Sequence, residues 1–130
     1  MVLVLGELES AVLEHLWSQG AEDVKGVHRA LGLSRGIKLN TVQSTMERLY
    51  RKGLLTRDKV SHAYVYRAGV TREQLSTRVI GEVVDQLAGG EPNVMLSAFV
   101  SLAEREGDDA LAQLEALIAQ RRMANQGDDV

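Results

Sequence analysis

The chain has 130 residues, 45% of them apolar, and a formal net charge of −3, which is typical of one compact unit or of a small domain with a helical annex. It contains no cysteine, and this excludes disulfides, thiolate metal sites and a thiol nucleophile. No apolar run approaches membrane-spanning length and the start lacks the basic region of a secretory signal, so the cytoplasm is the expected location.

The charge is distributed unevenly along the chain. Residues 25–72 carry eleven Lys/Arg and two acids, which gives +9, whereas residues 1–24 carry five acids and no Lys/Arg, which gives −5. Residues 73–130 carry four Lys/Arg and eleven acids, which gives −7. A cationic middle in an acidic protein indicates a surface for a polyanion. The alternative is chance clustering on a solvated face.

The first forty residues predict two helices. Apolar residues spaced at four predict a first helix over 6–18, with Gly20 as its stop. Acidic residues then precede a short second helix over 24–31, where the helix dipole favours negative charge.

A third helix is predicted over 40–52, with Asn40 or Thr41 as its N-cap. Its apolar stripe consists of Val42, Met46 and Leu49. Its opposite face carries Asn40, Ser44, Glu47, Arg48 and Arg51. Such a helix can pack by one face and enter the DNA major groove by the other. The alternative is a solvated surface helix.

Two short strands are predicted behind the third helix, over 54–57 and 63–67, with a polar turn between them. Three helices followed by a hairpin is the element order of a winged helix-turn-helix domain. We therefore predict a mainly α fold class, with a winged helix-turn-helix DNA-binding domain (three helices plus a β-hairpin wing) over 1–70.

Three more amphipathic helices are predicted over 71–123, followed by a polar tail over 124–130. Thr71 and Gln74 form a capping-box signature at the start of the first of them. Helices of this length cannot bury their apolar stripes in isolation, so we expect a helical dimerisation region. The alternative is a monomeric helical cap. The expected dimerisation residues are Leu75, Val79, Val83, Leu87, Phe99, Leu102, Leu111, Leu114, Leu117 and Ile118.

Two stretches resemble a known family: LGELESAVLEHLW over 5–17 and NTVQSTMERLYRKGLLTRDKVSHAYVYR over 40–67. The chain resembles the penicillinase repressor family of bacterial transcription regulators (BlaI/MecI/CopY type) over about residues 5–120. The resemblance implies a homodimeric, sequence-specific transcriptional repressor that binds a palindromic operator. It implies a third helix in the major groove, a wing on the DNA backbone, and a role in a β-lactam or cell-stress response.

The resemblance also implies roles for particular residues. Thr41 and Gln43 occupy positions where the family reads bases, and Gln can pair bidentately with adenine. Gln43 replaces an arginine of well-known members, so a different operator is expected. The positions that hold operator edges and phosphates are Lys38, Asn40, Ser44 and Arg48. The wing residues expected to contact phosphates are Lys59, Ser61 and His62. Two further cations either add charge or keep the helix end soluble: Arg51 and Lys52.

Two departures from the family pattern concern induction. Staphylococcal-type members are cut at an Asn-Phe bond in the C-terminal region, and the matching place here is Ala98-Phe99. Copper-responsive members carry a cysteine metal motif, and this chain has no cysteine. A regulatory protease or sensor is an expected partner, but the sequence does not identify where it would act on this chain.

The sequence contains no phosphate loop, dinucleotide fingerprint, nucleophile elbow or recognisable metal-ligand spacing. We therefore expect no enzyme activity, no cofactor and no metal site. The alternative function is a protein-interaction module that uses the winged-helix core as a scaffold, because a fold does not by itself imply DNA binding.

Overall fold

The computed structural model describes residues 5–128. The helices and strands follow in this order: α1 Glu7–Gln19, β1 Glu22–Asp23, α2 Val24–Val27, a π-helical turn His28–Gly32, α3 Leu39–Arg51, β2 Leu55–Val60, β3 Ala63–Ala68, α4 Arg72–Ala88, α5 Pro92–Glu106 and α6 Asp108–Asp128. The chain forms two compact units, and the boundary between Val83 and Val84 lies inside α4. No helix within residues 5–128 is both long enough and apolar enough to cross a lipid bilayer.

The first unit is built around one apolar core. The predicted stripe of α3 is fully buried there, packed with side chains of α1 and of the sheet. The buried apolar side chains are Val12, Leu13, Leu16, Val27, Val42, Met46, Leu49, Leu54, Leu55, Tyr66, Val70 and Leu75. Three helices and a small sheet around one core confirm the predicted winged helix-turn-helix fold class.

The sheet has three antiparallel strands in the order β1-β3-β2. Strand β1 was not predicted, because two residues are too short to show the alternation that marks a strand. The hairpin is longer than predicted, and its turn contains only Ser61 and His62. The sequence predicts residues 58–60 to lie in the turn, but in the structure they pair with Val65, Tyr64 and Ala63 across the hairpin.

The predicted N-cap of α3 was wrong. The helix begins at Leu39, and Lys38 is the N-cap residue, with an extended backbone at φ −73° and ψ 151°. The Lys38 carbonyl accepts hydrogen bonds from the backbone N–H groups of Thr41 and Val42 at 3.0 and 3.2 Å. Asn40 therefore lies inside the first turn, and neither Asn40 nor Thr41 caps the helix with its side chain.

The capping box predicted at the start of α4 is present. The backbone N–H of Gln74 donates to Thr71 Oγ1 at 3.0 Å, and the backbone N–H of Thr71 donates to Gln74 Oε1 at 2.9 Å. At the other end of the chain, the polar stretch from Ala124 continues α6 as far as Asp128. The last two residues of the predicted tail lie outside the described part of the chain.

An ion pair connects the first and third helices. Lys52 Nζ, just after α3, donates to Glu9 Oε2 in α1 at 3.0 Å. Burial acts to raise the pKa of Glu9, but the hydrogen bonds from Lys52 and from the Gly6 backbone outweigh burial and lower it. The folded protein therefore stabilises the charged form of this carboxyl group.

We expect Leu13→Ala to lower the free energy of unfolding by about 2–5 kcal/mol, because it leaves a cavity in the core around α1 and α3. Denaturant unfolding followed by circular dichroism measures this cost. The control is Leu33→Ala, since Leu33 is 63% exposed. A cost for Leu13→Ala as small as that of the control would contradict the assigned core.

A second expectation concerns the pH dependence of stability. The folded-state pKa of Glu9 lies below its ordinary value of 4.5, so the stabilisation is present above pH 4.5 and is lost as the pH falls through the folded-state pKa. At neutral pH, Glu9→Gln should lower the free energy of unfolding by less than about 1 kcal/mol, which is seen as a lower Tm. In strong acid it should have no effect. The control is Glu7→Gln, in the same helical turn. An equal effect at both pH values would be inconsistent with the ion pair.

Candidate nucleic-acid interface

Helix α3 presents a continuous polar face to solvent. Its buried side chains are Val42, Thr45, Met46 and Leu49. The exposed residues on the other face, together with the N-cap residue, are Lys38, Asn40, Thr41, Gln43, Ser44 and Arg48. The predicted division of this helix into a packing face and a free face is confirmed. Each side chain expected to contact DNA from α3 is thus accessible.

The buried Thr45 connects the two faces of α3. Its hydroxyl donates to the Thr41 carbonyl at 2.8 Å and accepts a hydrogen bond from Arg48 Nη2 at 3.4 Å. A buried hydroxyl needs such partners because an unsatisfied polar group is costly inside a protein. Thr45 thereby orients the Arg48 guanidinium along the exposed face. Sequence reasoning did not identify this role, since a threonine inside a helix has no distinctive spacing.

The structure separates the cations of the middle segment into two groups. The first group forms ion pairs: Lys52 with Glu9, Arg51 and Arg57 with Glu47, Arg67 with Asp58, and Arg72 with Glu14. The second group forms no ion pair within residues 5–128: Lys25, Arg29, Arg35, Lys38, Arg48 and Lys59. The uncompensated positive charge therefore includes the start of α3, its exposed face and the hairpin. For Lys52 the sequence predicted either added charge or a soluble helix end, and the structure shows a third role, an ion pair with Glu9.

The tip of the β2–β3 hairpin, which we call the wing tip (Lys59 to His62), is exposed. Lys59 pairs with Tyr64 across the hairpin, one residue pair before its closure at Val60 and Ala63. Ser61 has a φ of 59°, in the left-handed region that a two-residue hairpin turn requires and that residues other than glycine rarely adopt. The turn thus projects Lys59, Ser61 and His62 into solvent.

A cluster of aromatic and charged side chains lies between α3 and the hairpin. The guanidinium of Arg57 in β2 is stacked between Tyr50 and Tyr64, with its carbon 3.9 and 4.1 Å from the two ring centroids. Arg57 Nη1 also donates to Glu47 in α3 and, at 3.2 Å, to the Tyr66 hydroxyl. We call these five residues the Arg57 cluster. Sequence analysis missed it, although Tyr50 follows Glu47 by three positions on one helical face.

The charges in this cluster stabilise each other. The hydrogen bond with the Tyr66 hydroxyl is the main cause that raises the pKa of Arg57, and Glu47 raises it further. The hydrogen bond from Arg57 is the main cause that lowers the pKa of Glu47. Both groups therefore stay ionised at neutral pH. Glu47, which the sequence placed on the free face of α3, is in contact with the hairpin.

The expected dimerisation residues fall into three groups. Leu75 lies in the core of the first unit and Val79 packs against that core, so the packing partners of Leu75 are in its own chain. Phe99, Leu111 and Leu114 are half-buried. The exposed members are Val83, Leu87, Leu102, Leu117 and Ile118. Leu75 is therefore removed from the set expected at a subunit interface.

No group of three or more His, Asp or Glu side chains in the described part of the chain is arranged to hold a metal ion. The exposed face of α3 presents amide, hydroxyl and guanidinium groups. These groups can hydrogen-bond base edges and phosphates.

The chain is similar to several known proteins. The model of the penicillinase repressor family matches residues 5–120. A transcriptional regulator BlaI of Mycobacterium tuberculosis is 37% identical over 121 residues, which cover 86% of each chain. Among solved structures, the regulator Tm0710 of Thermotoga maritima is 16% identical, with a TM-score of 0.46 over 95% of this chain and 78% of that one. The regulator PcaV of Streptomyces coelicolor is 23% identical, with a TM-score of 0.46 over 93% and 75%.

The family match includes the exposed helix, the hairpin and most of the C-terminal helices. The identity to a transcriptional regulator extends over nearly the same length. The chain therefore belongs to the penicillinase repressor family and is a DNA-binding transcriptional repressor.

Proposed function

We propose that the protein acts as a homodimer that binds a palindromic operator, with α3 in the major groove and the hairpin on the DNA backbone. The observation that carries this proposal is the exposed polar face of α3, which includes the cations Lys38 and Arg48, unpaired within residues 5–128. The major groove is wide enough to admit an α-helix, and the exposed polar face of α3 can then meet the base edges. A two-fold dimer would present two such helices to two half-sites.

Base reading is assigned to Thr41 and Gln43. Both are exposed in the first two turns of α3, the part of a recognition helix that reaches base edges. Gln43 can form two hydrogen bonds with adenine, and the Thr41 methyl group can contact a thymine methyl. Asn40, Ser44, Lys38 and Arg48 are assigned to the groove edges and phosphates, because these polar side chains surround the reading positions.

The wing tip is assigned to the phosphate backbone. Lys59 forms no ion pair within residues 5–128, and Ser61 and His62 present short hydrogen-bonding groups beside it. Contacts of this kind fix the register of a protein on DNA without reading its sequence. Arg51 is paired with Glu47, and we assign it at most a long-range electrostatic attraction for the DNA.

Dimerisation through the C-terminal helices is supported by the exposed apolar surface of the second unit. None of the described side chains of α5 and α6 is fully buried, and Leu87 and Met123 are 77% and 73% exposed. A groove of about 380 Å³ between α5 and α6 has Phe99, Leu102, Leu114 and Leu117 among its lining residues, with Arg105 and Glu106 beside them. Two helices with such apolar faces need a further surface to cover them, and a second copy supplies one.

The proposed circuit is a β-lactam or cell-stress response, which rests on the family description. A regulatory protease or sensor stays a prediction. The bond between Ala98 and Phe99 lies in the middle of α5, so a protease could cut it only after the helix opens locally.

The first test of this function is a selection of bound fragments from genomic DNA with the full chain, repeated over a salt series. We expect a palindromic site with two half-sites and a steep loss of affinity with salt, because phosphate contacts release counterions. No enriched motif at any salt concentration would contradict the proposal.

Substitutions in α3 should separate base reading from phosphate contact. Gln43→Ala should lower the preference for one base pair in each half-site by about 1–3 kcal/mol. Arg48→Ala should instead weaken binding to all sequences. It should also reduce the slope of log K against log salt concentration by about one per subunit. Binding to a panel of operator variants measures both effects. The control is Gln19→Ala at the end of α1. Unchanged binding by both variants would show that α3 is wrongly assigned.

Ile118→Glu should weaken the dimer by at least about tenfold, because it places a charge in an apolar subunit interface. Sedimentation equilibrium measures the dissociation constant, and operator affinity should fall in parallel. The matched control is Gln120→Glu, which adds the same charge to α6. A monomeric wild-type protein, or a dimer unaffected by Ile118→Glu, would refute the assigned interface.

A further inference from the structure

The Arg57 cluster connects the two DNA-facing elements of the first unit. Glu47 and Tyr50 come from α3, while Arg57 comes from β2 and Tyr64 and Tyr66 come from β3. The cluster thus joins the exposed helix to the hairpin through one stacked and hydrogen-bonded guanidinium. Arginine suits this position because its planar group can stack on aromatic rings and donate several hydrogen bonds at once.

Arg57 is occupied within the protein. Tyrosine rings lie over it at 3.9 and 4.1 Å, its Nη1 donates to Glu47 and Tyr66, and its side chain is only 17% exposed. A contact with phosphate would require this arrangement to open. Arg57 therefore differs from Lys59, two residues later in the same strand, which is exposed and forms no ion pair within residues 5–128.

The cluster lies where the hairpin has little other support. Strand β1 pairs only with Tyr66 and Val65, so β3 is free of this neighbour from Tyr64 to the turn. A two-stranded ribbon is marginally stable and twists easily. Arg57 and Lys59 face Tyr66 and Tyr64 in the hairpin register, and directly opposed residues lie on one face of a sheet. Lys59 therefore lies on the same face of the hairpin as Arg57, which is held by the cluster.

We propose that Arg57 is a positioning residue for DNA binding: held between Tyr50 and Tyr64 and hydrogen-bonded to Glu47, it fixes the angle between α3 and the wing tip. The wing tip then reaches the phosphates while α3 lies in the groove. Glu47, an acid next to the reading face, serves to hold Arg57. This inference rests on the proposed DNA contacts of α3 and the wing.

The test compares Arg57→Lys with Arg67→Lys in the full chain, on the operator recovered from genomic DNA. Both variants keep the charge, but Arg67 lies outside the cluster and is paired with Asp58 on the surface. A second variant, Tyr64→Leu, removes one stacking ring and leaves Arg57 in place. Thermal unfolding verifies that each variant is folded. Operator affinity, its salt dependence and phosphate-ethylation interference are then measured.

We expect Arg57→Lys and Tyr64→Leu each to weaken operator binding by about tenfold, whereas Arg67→Lys binds like the wild type. The salt dependence should fall although the charge is unchanged, because the wing phosphates are no longer contacted. Ethylation of those phosphates should cease to interfere, while the base preference that depends on Gln43 persists. A merely structural role would change the unfolding temperature without this selective loss.

Wild-type affinity and salt dependence in Arg57→Lys would overturn the proposal, because a lysine would then be sufficient and the stacking unnecessary. Weak binding with intact interference at the wing phosphates would also overturn it, as would a wild-type protein that shows no such interference. The assignment of α3 is judged separately by Gln43→Ala and Arg48→Ala. Selective loss of wing contacts in Arg57→Lys, together with the expected effects of those two variants, would support the positioning role. No effect of those two variants would reject the reading helix and with it the positioning role, whereas wild-type behaviour of Arg57→Lys alone would reject only the positioning role.

Discussion

The burial of one face of α3 is the constraint on which the rest of the first unit depends. Val42, Met46 and Leu49 are fully buried against α1 and the sheet, and this packing leaves the opposite face of the helix in solvent. Because side chains on a helix are fixed in angle relative to one another, burying the apolar stripe determines where Gln43 and Arg48 point. The exposed polar face is therefore a consequence of core packing as much as of its own composition.

Electrostatic pairing determines which of the many cations remain available. The acids of the first unit neutralise Lys52, Arg67 and Arg72 at positions away from the reading face of α3. Lys38 and Arg48 have no such partner within residues 5–128. A polyanion approaching the protein therefore meets unpaired positive charge at Lys38 and Arg48, where polar side chains of α3 can hydrogen-bond to it. Within the same range, Lys25, Arg29 and Arg35 add unpaired charge outside α3. The positive charge that a DNA partner can contact thus depends on which cations are paired more than on the number of basic residues.

The two units differ in how completely they bury their apolar side chains. The first unit has a closed core, whereas the described side chains of α5 and α6 are at most half-buried. The proposed dimer follows from this difference, because apolar side chains left in solvent favour association with a second copy. Affinity for a palindromic site would then depend on protein concentration as well as on the contacts of each subunit.

The sequence by itself determined the order of the helices and of the two hairpin strands, the two faces of α3, the capping box at Thr71 and Gln74, and the cationic middle segment. These features are local, since periodicity, capping and charge are read within one or two helical turns. Only the tertiary structure decided that β1 joins the sheet, that Lys52 binds Glu9, that Leu75 belongs to the first core, and that Arg57 lies between Tyr50 and Tyr64. Each of these depends on residues brought together from separate elements, and no local pattern encodes which distant side chain will be the partner.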